Sequence, residues 1–157
     1  MPTLRSYSAM CDHVTEFGVR WVISTWALLA GKPSALVSYD INYHENIKHV
    51  ERIAASNNVV FQFKLTNTIN TTIDETDLLF IDTLHTYEQL KKELELHAGK
   101  VKKYIILHDT ESFKHVGMDN KPKGLLNAMQ EFLDTGKEWT VAGHHKENNG
   151  LTILSRL

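Results

Sequence analysis

Short apolar, β-branched runs alternate with helix-like segments along nearly the whole chain, and few folds accommodate that order. "HVTEFGV" is followed by "STWALLAG", and "ALVSYDI" by "NYHENIKHVERIAASN". "VVFQFKLT" leads into the polar "NTINTTIDET", then "DLLFID" into "TYEQLKKELELHAGK", and "YIILHDT" precedes the helix-like "KGLLNAMQEFLDTG". Runs such as "DLLF" and "YIIL" are apolar at consecutive positions, which suits parallel strands covered by helices on both faces. The tail differs: "EWTVAGHH" and "LTILSR" are joined by Asn148, Asn149 and Gly150, with no helix between them, and Asn-Gly favours a hairpin. The expected fold class is α/β: a Rossmann-like, doubly wound, mostly parallel sheet ending in an antiparallel β-hairpin.

Helical faces are legible within this frame. Ile47, Val50, Ile53 and Ala54 fall on one face, as do Tyr87, Leu90 and Leu94, with Thr86 and Gln89 spaced as a capping box. Leu125, Leu126, Met129, Phe132 and Leu133 point inward on the last helix, with Gly136 as its C-cap. The 157 residues and 42% hydrophobic content suit one domain, residues 1–157, with 1–11 a segment ahead of a core over 12–157. A net charge of -2 points to no nucleic-acid or membrane partner. The lone Cys11, the lack of a signal-peptide pattern and the lack of a run near the roughly 18 apolar residues of a membrane span point to the cytoplasm.

In a doubly wound sheet, ligands lie outside the carboxyl ends of the strands. Those ends carry Glu16 to Arg20, Asp40, Thr66 with Asn67, Asp82 to His85, and His108 to Thr110. The first turn has one glycine, Gly18, where a dinucleotide fingerprint wants three. A pyrophosphate must approach the backbone closely, whereas a cofactor with a ribose and no phosphate needs one permissive turn. S-adenosylmethionine is such a cofactor, and Arg20, Trp21 and Val22 could stand beside its amino-acid tail. Asp40, 22 residues beyond Gly18, is placed to accept from ribose hydroxyls or to form an Asx turn before "NYHEN".

The segments "TEFGVRWVISTWALL", "SYDI", "DLLFIDTLHTYEQLKKELE", "YIILHDT" and "NNGLTILSR" together resemble the small class I S-adenosylmethionine-dependent methyltransferases, in order and over roughly residues 12–157. The group they resemble most carries Asp-x-x-His-x-Tyr after strand four and His-Asp after strand five. The resemblance implies S-adenosylmethionine as cofactor. Glu16 and Gly18 would belong to the first motif, with Ser24 in the helix that follows. Asp40 would hold the ribose, Asn67 or Thr66 would lie near the adenine, and Asp82 would border the cofactor. Val22 stands where the family often has a second glycine, and "LTNT" replaces the usual Asp on the adenine side.

If strands four and five are neighbours, Asp82, His85, His108 and Asp109 converge. They offer either a general base or a site for a divalent metal. Asp82 and Asp109 suit Mg2+ or Mn2+, while the imidazoles favour a transition metal. Methyl transfer to oxygen needs a group to take the acceptor's proton. His108 is the first choice and His85 the second, with Asp109 beside them; His144 and His145 read as surface residues. The expected function is O-methylation of a small molecule or sugar. The alternative is a cofactor-binding or degenerate domain without transferase activity. Glu111 to Lys123 reads as a substrate loop or a linker. The N-terminal helices that many relatives place over the substrate are nearly absent, so a homodimer closing the acceptor site is expected.

Overall fold

The computed structural model describes residues 1–157. Seven strands form one sheet: β1 His13–Phe17, β2 Ala35–Asp40, β3 Val60–Leu65, β4 Thr76–Ile81, β5 Val101–His108, β6 Trp139–His145 and β7 Leu151–Arg156. Their order across the sheet is β3-β2-β1-β4-β5-β7-β6. The first five run parallel, and β7 pairs antiparallel with both β5 and β6. The expected mostly parallel sheet with its C-terminal hairpin is therefore present. The hairpin enters through β7, leaving β6 at the rim.

Five helices flank the sheet: α1 Pro2–Ser8, α2 Ile23–Leu29, α3 Ile47–Ser56, α4 Tyr87–His97 and α5 Leu125–Thr135. Side chains from α1, α2 and α3 pack with Val14, Leu36, Leu78, Phe80 and Ile106 on one face. Those of α4 and α5 pack with Phe17, Leu79, Ile81, Ile105 and Leu107 on the other. Consecutive residues of β4 thus feed opposite layers, which is why "DLLF" is apolar throughout; all six residues of β4 are buried. Burying each such side chain contributes roughly 1.5–3 kcal/mol. Truncating Leu79 to Ala would cost about 2–5 kcal/mol, because the cavity cannot collapse between two packed layers.

Local details depart from the periodicity in two helices. Ile47, Val50 and Ala54 are buried as expected, but Ile53 is 39% exposed: at 100° per residue it lies on the flank of their stripe. Gly136 ends α5 with φ -101°, not in a left-handed cap, its N–H donating to Phe132 O at 2.8 Å. Thr86 caps α4 by accepting from Gln89 N–H at 3.3 Å. The reciprocal bond of a capping box is absent because the Gln89 amide donates to Glu93 and Thr68.

The strand order reverses between β1 and β4, which opens a crevice above their carboxyl ends. No helix is long and apolar enough to cross a membrane.

Candidate functional site

The β1–α2 turn shows why one glycine is needed and where. Gly18 has φ +84°, and a Cβ there would stand 1.9 Å from Asp82 O, so the turns after β1 and β4 touch through bare backbone. Gly18 N–H donates to Tyr39 O at 2.9 Å and Asp82 N–H to Phe17 O at 2.8 Å, tying the turn to both neighbouring strands. Arg20 (φ 43°) and Val22 (φ 59°) also adopt left-handed backbone. A β-branched residue in that region is strained by about 1–3 kcal/mol. Val22 therefore keeps the backbone a glycine would take, while its side chain is buried in the core.

Asp40 holds this turn in place. Its Oδ2 accepts from Val19 N–H at 2.7 Å and Arg20 N–H at 3.0 Å, and its Oδ1 from Asn42 N–H at 2.8 Å, an Asx turn. Beneath the turn lies Glu16, wholly buried. Its Oε1 accepts from Ser24 at 2.6 Å, and its Oε2 from Thr25 at 2.8 Å and Ser38 at 2.6 Å. No cation compensates the charge, and burial pushes its pKa up to about 7 against the opposing pull of the three hydroxyls.

A cavity of about 340 Å³ opens above these elements. Gly18, Asp40, Asn67 and Asp82 line it together, as does Thr66. Glu16 and Ser24 do not reach it; they bond to each other below its floor. The adenine-side expectation falls at the start of a 3-10 turn, Thr68–Asn70, which Asn67 caps by accepting from Ile69 N–H at 3.1 Å. Among the lining side chains Asp40 and Asp82 are acidic and Arg20 alone is basic.

One residue that organises this cavity escaped the sequence reading. Glu93, fully buried on α4, accepts from Thr68 at 2.6 Å, Gln89 at 2.9 Å and Thr83 at 2.9 Å. All three donors line the cavity. His97 adds a ring nitrogen 2.9 Å from Thr68 O. One face of α4 therefore ties the loop after β3 to the loop after β4. The sole sequence signal is a glutamate at helical spacing from Leu90 and Leu94, which reads as an exposed charge.

Asp82, His85, His108 and Asp109 do converge, because β4 and β5 are adjacent. His85 Nε2 lies 3.1 Å from Asp82 Oδ1 and 2.8 Å from Asp109 Oδ2. His108 Nδ1 lies 3.3 Å from Asp82 Oδ2 and 3.5 Å from Asp109 Oδ1. Burial opposes charge on Asp82, His85 and His108, yet the attraction between opposite charges wins. Bonds and charge from the two histidines hold Asp82 down at about 2, and the two carboxylates lift His85 to about 9 and raise His108. Phe113 stacks flat on His85, with centroids 4.8 Å apart and planes 5° from parallel.

This cluster is not self-sufficient. Nε2 of His108 and Nδ1 of His85 are buried without a hydrogen-bond partner, and Nδ1 of His108 and Oδ1 of Asp109 have only the long ion-pair contacts of 3.3–3.5 Å, not well-aligned hydrogen bonds. Asp82, His108 and Asp109 each present a donor atom, all within 4.8 Å of one another. Two carboxylate oxygens and one imidazole form a donor set that fits a divalent cation such as Mn2+ or Mg2+.

The remaining sequence candidates lie around this centre. Tyr87 points away from it and donates to Glu131, a residue also bonded by Lys91 and Lys123, so it anchors the far end of the 111–123 loop. Met118 N–H donates to His85 O at 2.8 Å, which lays the middle of that loop against the cluster. Asn148, Asn149 and Gly150 all have positive φ, and the Asn149 carbonyl accepts from Glu111 N–H at 2.8 Å and Ser112 N–H at 3.1 Å. The hairpin turn is thus tied to the start of the 111–123 loop. His144 bridges Thr152 at 2.8 Å and Glu111 at 2.7 Å, and His145 is exposed.

No protein-family model matches the sequence, and no curated protein matches it. Solved structures do resemble the fold. An O-methyltransferase from Bacillus cereus in complex with SAH matches with a TM-score of 0.68 and 14% identity, over 99% of this chain and 80% of that one. The O-methyltransferase TomG from Streptomyces achromogenes, in complex with SAM, matches with a TM-score of 0.68 and 15% identity, over 99% and 78%. The N-methyltransferase NodS from Bradyrhizobium japonicum gives 0.63 and 13%, over 98% and 92%. The chain has the fold of the class I methyltransferases.

Proposed function

We propose that the protein is an S-adenosylmethionine-dependent methyltransferase acting on oxygen of a small molecule or sugar. The observation that carries this reading is the cavity at the switch point, lined by two carboxylates and one guanidinium, beside a cluster of two carboxylates and two imidazoles. Its side-chain charge complements a cofactor bearing a sulfonium, an ammonium and a carboxylate. A dinucleotide fits poorly. The N–H groups of Gly18, Val19, Arg20 and Val22 are all donated within the protein, so the turn has few free amides for a pyrophosphate.

Methyl transfer is an in-line displacement: the acceptor oxygen bonds to the methyl carbon, the carbon–sulfur bond breaks toward sulfur, and the acceptor's proton must leave. Asn67, the Glu93-held Thr68 and Thr83, and Asp40 line the cavity that would take the cofactor. Asp82 and Asp109, with His108, are the residues that would hold a divalent cation, which when bound would supply a positive charge to orient and acidify the acceptor oxygen. The two carboxylates that keep His85 protonated would then be drawn to the cation, so His85 would give up that proton and become the imidazole placed to take the acceptor's. Without a cation that role falls to His108, whose contacts with the carboxylates are longer. Loop 111–123 borders the acceptor side.

One observation favours a second reading, a cofactor-binding domain without transfer: Asp40 already accepts three backbone N–H groups. Incubation with methyl-labelled S-adenosylmethionine and a panel of sugars and phenols separates the two. Label in a hydroxyl acceptor, lost about 100-fold or more when both His85 and His108 are replaced by Asn, is the expected result. Tight cofactor binding with no transfer to any acceptor selects the second reading.

A further inference from the structure

Arg20 is the sole cation lining the cavity. The lysines of the neighbouring loop are all paired, Lys114 with Glu111, Lys121 with Asp119 and Lys123 with Glu131. Arg20 has no acidic partner; its guanidinium lies 6.0 Å from the Trp21 ring centroid, and Trp21 in turn meets His44 edge-on at 5.2 Å. Its backbone is fixed in a left-handed conformation, with its N–H donated to Asp40. A strained turn, built with an arginine where a glycine would relax it, holds a free guanidinium at the mouth of the cavity.

A cofactor whose ribose stands at Asp40 and whose sulfonium faces Asp82 must pass its amino-acid tail over the Gly18 turn. The carboxylate of that tail needs a donor. Backbone amides would be the usual source at such a turn, but those of Val19 and Arg20 are already given to Asp40. Asp40 and Asp82 both repel it. We infer that the Arg20 side chain binds the α-carboxylate of the cofactor's amino-acid tail, and that it is the residue by which this cavity distinguishes tail-bearing from tail-less adenosyl compounds. A guanidinium–carboxylate pair is the strong, directional contact such discrimination requires. The inference rests on the cofactor reading above.

Calorimetric titration of wild type, Arg20→Met and Arg20→Lys with S-adenosylhomocysteine and with 5′-methylthioadenosine tests it. Methylthioadenosine shares the adenosine and the thioether but lacks the tail. Arg20→Met should weaken S-adenosylhomocysteine roughly 10- to 100-fold while leaving methylthioadenosine within about twofold, and Arg20→Lys should recover part of the loss. Arg20 is exposed, and methionine imposes the same backbone strain, so folding is not at issue. An equal loss for both ligands, or an unchanged affinity for S-adenosylhomocysteine, overturns the inference alone. Wild type that binds neither ligand overturns the cofactor reading and the inference together.

Discussion

Glu16→Gln should make the protein more stable at pH 8 and leave it nearly unchanged at pH 5. Glu16 is wholly buried, accepts from three neutral hydroxyls, and has its pKa raised by burial from 4.5 to about 7. A carboxyl whose folded pKa exceeds its unfolded one carries no penalty below the unfolded value, where both states are protonated. Stability then falls as pH rises from 4.5 to about 7, and the loss is complete above that range. At about 1.36 kcal/mol per pH unit, the full loss is on the order of 3 kcal/mol. Glutamine keeps the shape without the charge: its carbonyl can accept from Thr25 and Ser38 while its amide donates to the Ser24 hydroxyl. In a domain of this size that corresponds to a Tm gain of roughly 6–12 °C. Thermal unfolding followed by circular dichroism from pH 5 to pH 8.5 should show the gap between variant and wild type opening with pH. A constant gap, or one that closes as pH rises, would mean that burial does not hold Glu16 protonated above its ordinary range. Glu16→Ala should instead destabilise throughout, because three hydroxyls lose their acceptor and a cavity opens.

Asp40→Ala should weaken S-adenosylhomocysteine by roughly 1.5–3 kcal/mol in calorimetry, and because Asp40 also holds Val19 and Arg20 it should lower stability by about 1–2 kcal/mol in denaturant titration. Gly18→Ala should cost about 3 kcal/mol or more, since its Cβ collides with the Asp82 carbonyl at a left-handed position; wild-type unfolding midpoints would contradict the close approach of the two turns. Activity should fall with chelator and return with Mn2+ or Mg2+, whereas full activity in chelator would assign the proton to His108. Light scattering should report a dimer, twice the 18.0 kDa chain, with β6 available as an unpaired edge; a mass near one chain at all concentrations would exclude it.

Much of the fold was legible because doubly wound sheets impose a pattern on neighbouring residues. Consecutive apolar positions in β4 and β5 record two covered faces, and the missing helix before β7 records the antiparallel hairpin. The residues of the candidate site were legible as the polar ends of those strands, and β4–β5 adjacency brings Asp82, His85, His108 and Asp109 together. What remained hidden depends on contacts between distant loops. Glu93 looks like one charge among several in "KKELELH", and only the folding of Thr68 and Thr83 over it buries it. Asp40 could be read as a ribose ligand or an Asx turn, but its grip on Val19 and Arg20 requires β1 and β2 to be paired first. The left-handed Arg20 and Val22 were hidden for another reason: neither residue type signals that backbone, and the turn is held there by Asp40 and by the burial of Val22.

Titration calorimetry of the wild-type protein with S-adenosylhomocysteine and NAD shows whether the cavity between β1 and β4 takes an S-adenosyl cofactor. Saturable binding of S-adenosylhomocysteine at one site per chain is expected, with no measurable binding of NAD. Binding of NAD in its place, or of neither compound, would contradict the cofactor reading.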